Sequence, residues 1–138
     1  MLKHLLSACI LASIVFVSCK KAEEDPDNAN AITGTYKMTV YNTKTGGNNS
    51  NPAPGNNMVI TKVDKNTVKV VMDYADPSAT DLVFDKMAIK KNGSVYNLSQ
   101  NFSNATSTGN VNGSTFTLDM TYTSGPDNGN WVHVVSVK

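Results

Sequence analysis

Histidine and cysteine, the usual recruits for acid–base, nucleophilic and metal chemistry, occur only as His4, His133, Cys9 and Cys19. A serine-based triad would have to use His133 as its base. The chain has no Gly-x-Ser-x-Gly turn to hold a nucleophile. His133 stands in Trp131-Val132-His133-Val134-Val135, where strand alternation puts it on the face of Trp131 and Val135. That setting predicts a strand-surface residue or a cross-strand hydrogen-bond partner. A zinc site made of His and Cys lacks the ligands. Asp73, Asp76, Asp81 and Asp85 gather around Pro77. Oxygen-rich loops bind calcium, but this spacing matches no EF-hand, and aspartate also serves turns through its own local hydrogen bonds. Turn and solvated-face roles are expected for these, and for the Gly125–Asn130 loop. The residue inventory therefore predicts a protein that is not an enzyme and carries no cofactor and no metal.

Methionine is the apolar oddity. Met38, Met58, Met72, Met87 and Met120 are spread over five candidate strands. Flexible thioethers fill irregular gaps in a core, and they also suit an adaptable apolar pocket. If the second use holds, the candidate ligand-lining residues are Tyr36, Met38, Val70, Met72, Phe116, Leu118, Met120 and Tyr122.

The charges point away from nucleic acid. All 12 basic residues are lysine, against 11 acidic residues, for a formal net charge of +1. Phosphate and guanine recognition is usually marked by a basic patch with arginine, so nucleic acid is not an expected partner.

These residues need elements to position them, and the chain divides into three parts. Residues 1–18 hold Lys3 and then an uncharged run, Leu5 to Val17, rich in Leu, Ile, Val and Phe. The run is short for a bilayer helix, which needs about 20 residues, and fits the apolar core of a removable export signal. Residues 19–31 include Lys20-Lys21-Ala22-Glu23-Glu24-Asp25-Pro26-Asp27-Asn28. Lacking large apolar side chains, this stretch is expected to be a disordered tether. From residue 32 to 138 the chain is rich in Asn, Thr, Ser and Gly, contains no Glu, and alternates apolar and polar residues.

That alternation predicts eight strands, over 34–41, 57–64, 67–74, 81–90, 94–100, 106–111, 115–123 and 130–137. The clearest runs Phe116, Leu118, Met120 and Tyr122 along one face, with Thr and Asp between them. Asn92-Gly93 and Asn112-Gly113 suit two-residue hairpin turns. No helical periodicity is convincing after residue 30. Short turns between strands predict an all-β antiparallel meander, closed as a barrel or folded as a β-sandwich. The Asn42–Asn56 segment, with Gly46-Gly47, Pro52 and Pro54, is expected to be a loop, either a lid or an insertion.

Phe16-Val17-Ser18-Cys19 resembles the lipobox of bacterial lipoproteins. The resemblance implies cleavage after Ser18, a diacylglycerol on Cys19, and acylation, for example by palmitate, of the new amino group. More than one acyl chain gives stable membrane anchoring. The acidic cluster after the tether lysines resembles the surface-export signal of Bacteroidota lipoproteins. It implies an outer-membrane, lipid-anchored protein facing the cell surface, with a periplasm-facing orientation as the alternative. Gly34-Thr35-Tyr36 and the strand number are similar to the small lipocalin-like (calycin) lipoproteins of that group, with Tyr36 where the family commonly has tryptophan. The likeness implies an eight-stranded barrel binding an apolar or amphiphilic small molecule. The rival expectation is a structural or interaction module for a glycan or an envelope protein.

Overall fold

A computed structural model describes residues 26–44 and 54–138. The expected signal, Cys19 and most of the tether lie outside the described residues, as does the 45–53 part of the predicted loop.

Eight strands follow one short helix: α1 (Asn28–Ile32), β1 (Gly34–Thr43), β2 (Asn57–Asp64), β3 (Thr67–Asp73), β4 (Leu82–Asn92), β5 (Val95–Asn101), β6 (Ala105–Asn112), β7 (Thr115–Tyr122) and β8 (Trp131–Val137). Each strand pairs antiparallel with the next, and β8 returns to β1, so the sheet closes into a barrel. Closure removes the free edges that an open sheet would offer to other chains. The barrel alternative is therefore the one realised, and the sandwich is not.

The strands form because each carries an apolar set at period two. In β7, Phe116, Leu118 and Met120 are buried while Asp119 and Thr121 are exposed. Two hairpins turn at Gly93 (φ 60) and Gly113 (φ 58), each after an asparagine, in the left-handed region such turns demand. The β1 ladder shifts register between Met38 and Val40. Met38 then pairs with Ser136 and Tyr41 with Val134, so the bulge keeps both Met38 and Tyr41 in step with buried partners.

The barrel is filled rather than hollow through its middle. Tyr36, Met58, Val70, Met72, Phe84, Phe116 and Leu118 are all at most 1% exposed and belong to one continuous core. An eight-stranded barrel is narrow enough for side chains alone to fill it. Space is shared unevenly around the wall. The buried face of β6 carries only Ala105, Ser107, Gly109 and Val111, which leaves room for the larger Phe116, Leu118 and Met120 beside it.

One element was not legible in the sequence pattern. Helix α1 begins within the segment expected to be tether, and Ala29 and Ile32 are fully buried. It caps one end of the barrel. Ala29 N–H donates to the Lys65 carbonyl (3.0 Å), the Asn28 amide donates to Asn66 Oδ1 (2.7 Å), and Tyr36 Oη donates to the Ile32 carbonyl (2.8 Å). Asp27 caps the helix by accepting from Asn30 N–H, and pairs with Lys62. Five residues carry too little periodicity to announce a helix, and most of its hold comes from distant partners.

Candidate functional site

The α1 end of the barrel holds the tight 64–67, 92–95 and 112–115 turns. The opposite end, the mouth, carries the connections 74–81, 101–105 and 122–131. Aromatic residues gather there. Tyr41 at the end of β1, Tyr74 after β3, Phe102 after β5 and Tyr122 at the end of β7 are partly buried against the core.

Their contacts are specific. The Tyr41 and Tyr74 rings meet edge to face at 6.2 Å, and Tyr74 Oη donates to Tyr41 Oη over a long 3.5 Å. Burial, then the Tyr41 hydrogen bond, with smaller contributions from Asp81 and Tyr122, push the Tyr74 hydroxyl well above the ordinary tyrosine range. It stays a neutral phenol at any physiological pH. Phe102 packs edge to face on Phe84 at 5.9 Å.

Beside Phe102 lies a recess of about 200 Å³, lined by Leu82, Val83, Phe102, Asn104, Ala105, Met120 and Tyr122. Its origin is a seam in the wall. The β4–β5 ladder begins only at Ala88↔Ser99, although β4 starts at Leu82. The β3–β4 register shifts between Val68 and Val70, opposite the β4 stretch from Phe84 to Met87. Across the seam, Lys86 N–H donates to the Gln100 side chain (3.3 Å) instead of to a strand carbonyl. Ala105, the small first residue of β6, lines the recess together with Met120 and Tyr122 of β7. The lining is apolar apart from the Asn104 amide and the Tyr122 hydroxyl, so it suits an apolar group with a polar end.

The residues expected to line a ligand chamber are brought together, but mostly as packing. Tyr36, Met38, Val70, Met72, Phe116, Leu118 and Met120 share the core at 0–4% exposure, and Tyr122 is half-buried at the mouth. Of that set, Met120 and Tyr122 reach the recess. The remaining lining residues were not singled out by sequence reasoning. Phe102 in the polar run Asn101-Phe102-Ser103-Asn104 was the available signal, a large aromatic ring inside a turn with no strand face to explain it.

Several other candidate groups make local side-chain contacts. His133 Nδ1 lies 2.6 Å from Asp119 Oδ1, its directly paired residue on β7, on the outer wall. Asp81 accepts from Tyr74 N–H, and Asp76 accepts from Ser78 N–H and Oγ, which holds the Asp76 carboxyl below its usual range. Asp85 faces Lys69 at 3.8 Å. Among the described residues no three His, Cys, Asp or Glu side chains are grouped to hold a metal ion.

No family model and no curated protein sequence matches this chain. A solved structure from Bacteroides fragilis, named as a "putative outer membrane protein", is similar with a TM-score of 0.58 and 14% sequence identity. The match covers 80% of this chain and 52% of the other, so this chain spans about half the length of that neighbour. At this identity the likeness is one of fold: an eight-stranded antiparallel β-barrel that resembles that protein.

Proposed function

We propose that this chain is a lipid-anchored envelope protein that binds the apolar part of an amphiphilic small molecule in the mouth recess and performs no chemistry on it. The observation that carries the reading is the apolar seam between β4 and the 101–105 turn. Its volume, about 200 Å³, is below the roughly 300–1,000 Å³ of drug-sized pockets. It suits a short acyl segment or a single ring, with the polar remainder left outside near Asn104. Because side chains fill the barrel middle, the proposed ligand would sit at the mouth and not along the axis.

Cleavage before Cys19, acylation of that residue and surface-facing placement in the outer membrane complete the proposal. They rest on the Phe16–Cys19 lipobox and the acidic tether. The name of the Bacteroides fragilis neighbour agrees with an outer-membrane setting. Mass spectrometry of protein from a bacterial membrane should find acyl mass on Cys19, and an unmodified thiol there would end this part of the reading.

The recess is tested by titrating a fluorescent fatty acid into the purified barrel. Ala105→Leu fills the recess and Phe102→Ala removes one wall, so both should weaken binding about tenfold or more. Binding unchanged in both folded variants would refute the site. A second reading, an interaction module for a glycan or an envelope protein, is favoured by Trp131, which is 40% exposed on the outer wall. Loss of partner binding in Trp131→Ala with the recess variants unaffected would select it.

A further inference from the structure

The charges of the barrel are sorted by end. Around α1 and the tight turns stand exposed Lys62, Lys65, Lys90, Lys91 and Lys138, against Asp27 and Asp64. At the mouth the order reverses, with Asp73, Asp76, Asp81 and Asp127 against Lys44. Between the ends lie two pairs, Lys69 with Asp85 and His133 beside Asp119, together with exposed Lys37 and Lys86. A chain of net charge +1 therefore carries a positive end and a negative end.

The positive end is also where the chain enters the fold. Pro26 leads directly into α1, and Lys62 pairs with Asp27 beside it. Cys19 lies a few residues earlier, within about 25 Å of extended chain. The intervening Lys20 and Lys21 nearly balance Glu23, Glu24 and Asp25, so the sign near the membrane is set by the barrel. An ammonium patch attracts anionic headgroups within about a Debye length.

We propose that the lysine-bearing α1 end docks on anionic lipid headgroups, so that the acidic mouth and its recess point away from the bilayer. The charge sorting stands without the lipid anchor. The statement that this end faces the bilayer in the cell rests on the Cys19 reading, and the two are tested separately.

Residues 20–138, which contain the whole closed barrel and no acyl group, are sedimented with vesicles of phosphatidylcholine alone or mixed with phosphatidylglycerol. Binding is expected to the mixed vesicles at low salt, lost at high salt and absent from the neutral ones. Lys90→Gln with Lys91→Gln avoids the contacts of Lys62 and Lys138 around α1, and should weaken binding about tenfold or more. The control Lys44→Gln with Lys86→Gln should leave it unchanged. Thermal melts verify that each variant is folded. Equal binding to neutral vesicles, no effect of the double substitution, or retention only on an anionic polysaccharide would overturn the patch. For orientation, the acylated protein is placed on vesicles and the lone Trp131, at the mouth end of β8, is the reporter. Quenching by an aqueous quencher and not by brominated lipid is expected, and the reverse would overturn the orientation.

Discussion

The Lys138 ammonium lies 5.4 Å from the centroid of the Tyr36 ring and donates to the Thr33 carbonyl at 2.7 Å. The last described residue thus covers the first core aromatic and ties it to the chain leaving α1. Tyr36 completes the link by donating to the Ile32 carbonyl. Removing the hydroxyl in Tyr36→Phe leaves that carbonyl without its buried donor, at a cost of about 1–2 kcal/mol. Lys138→Ala should cost about 1 kcal/mol through the lost ring contact and hydrogen bond. Urea melts of both variants check this, with the Lys138 effect shrinking at high salt.

Gly109 is the tight point of the wall. A Cβ there would meet the Thr117 carbonyl oxygen at 2.9 Å, Phe116 Cε2 at 3.0 Å and Leu118 Cδ1 at 3.4 Å. The nearest neighbour is backbone and cannot swing aside. Gly109→Ala should destabilise by about 1–3 kcal/mol, against the usual gain from replacing glycine in a strand. Chemical denaturation decides between the two signs.

Ser136 is fully buried between the Met38 and Phe116 positions of the neighbouring strands, and its hydroxyl has no hydrogen-bond partner. An unsatisfied buried hydroxyl costs about 1–3 kcal/mol. Ser136→Ala is therefore expected to leave the melting temperature unchanged or raise it by a few degrees. A clear fall would show that the hydroxyl is satisfied after all.

Acid should loosen α1 first. The hydrogen bond from Lys62, aided by Asn30 N–H, holds the Asp27 carboxyl below its ordinary 3.8. A lowered native value means that the tie contributes stability above the unfolded value and loses it as pH falls through the native one. Between about pH 5 and pH 2, amide exchange at Ala29 should quicken before exchange in the β6–β7 hairpin does. Asp27→Asn should show the faster exchange already at neutral pH.

On the outer wall, His133 and Asp119 form a solvent-facing pair. Such pairs contribute roughly 0–1 kcal/mol. His133→Ala should change stability by less than about 1 kcal/mol and leave fatty-acid binding unaltered. A loss of binding would show that His133 serves the recess.

The strand set was legible because alternation is a local signal. β2 falls on its expected span, 57–64, and the other strands differ from theirs by one or two residues at either end. Asn92-Gly93 and Asn112-Gly113 likewise declare their turns through the positive φ they tolerate. His133 as a cross-strand partner was readable for the same reason, since its face follows from its neighbours in the chain.

What sequence alone determined here is the inward set, Tyr36, Met38, Phe116 and Leu118 among them, because period two assigns faces without knowledge of the fold. Tertiary structure decided what that set encloses. Whether eight strands close, whether the middle is hollow, and where β4 parts from β5 all depend on register and on volumes contributed from opposite walls. The recess needs Ala105 and Phe102 from one side and Leu82 from the other, residues that no local pattern links. The same holds for α1, which a few distant hydrogen bonds seat on the barrel end, and for the sorting of lysines from aspartates. Those charges are scattered along the chain and become two opposed surfaces only when the hairpins align.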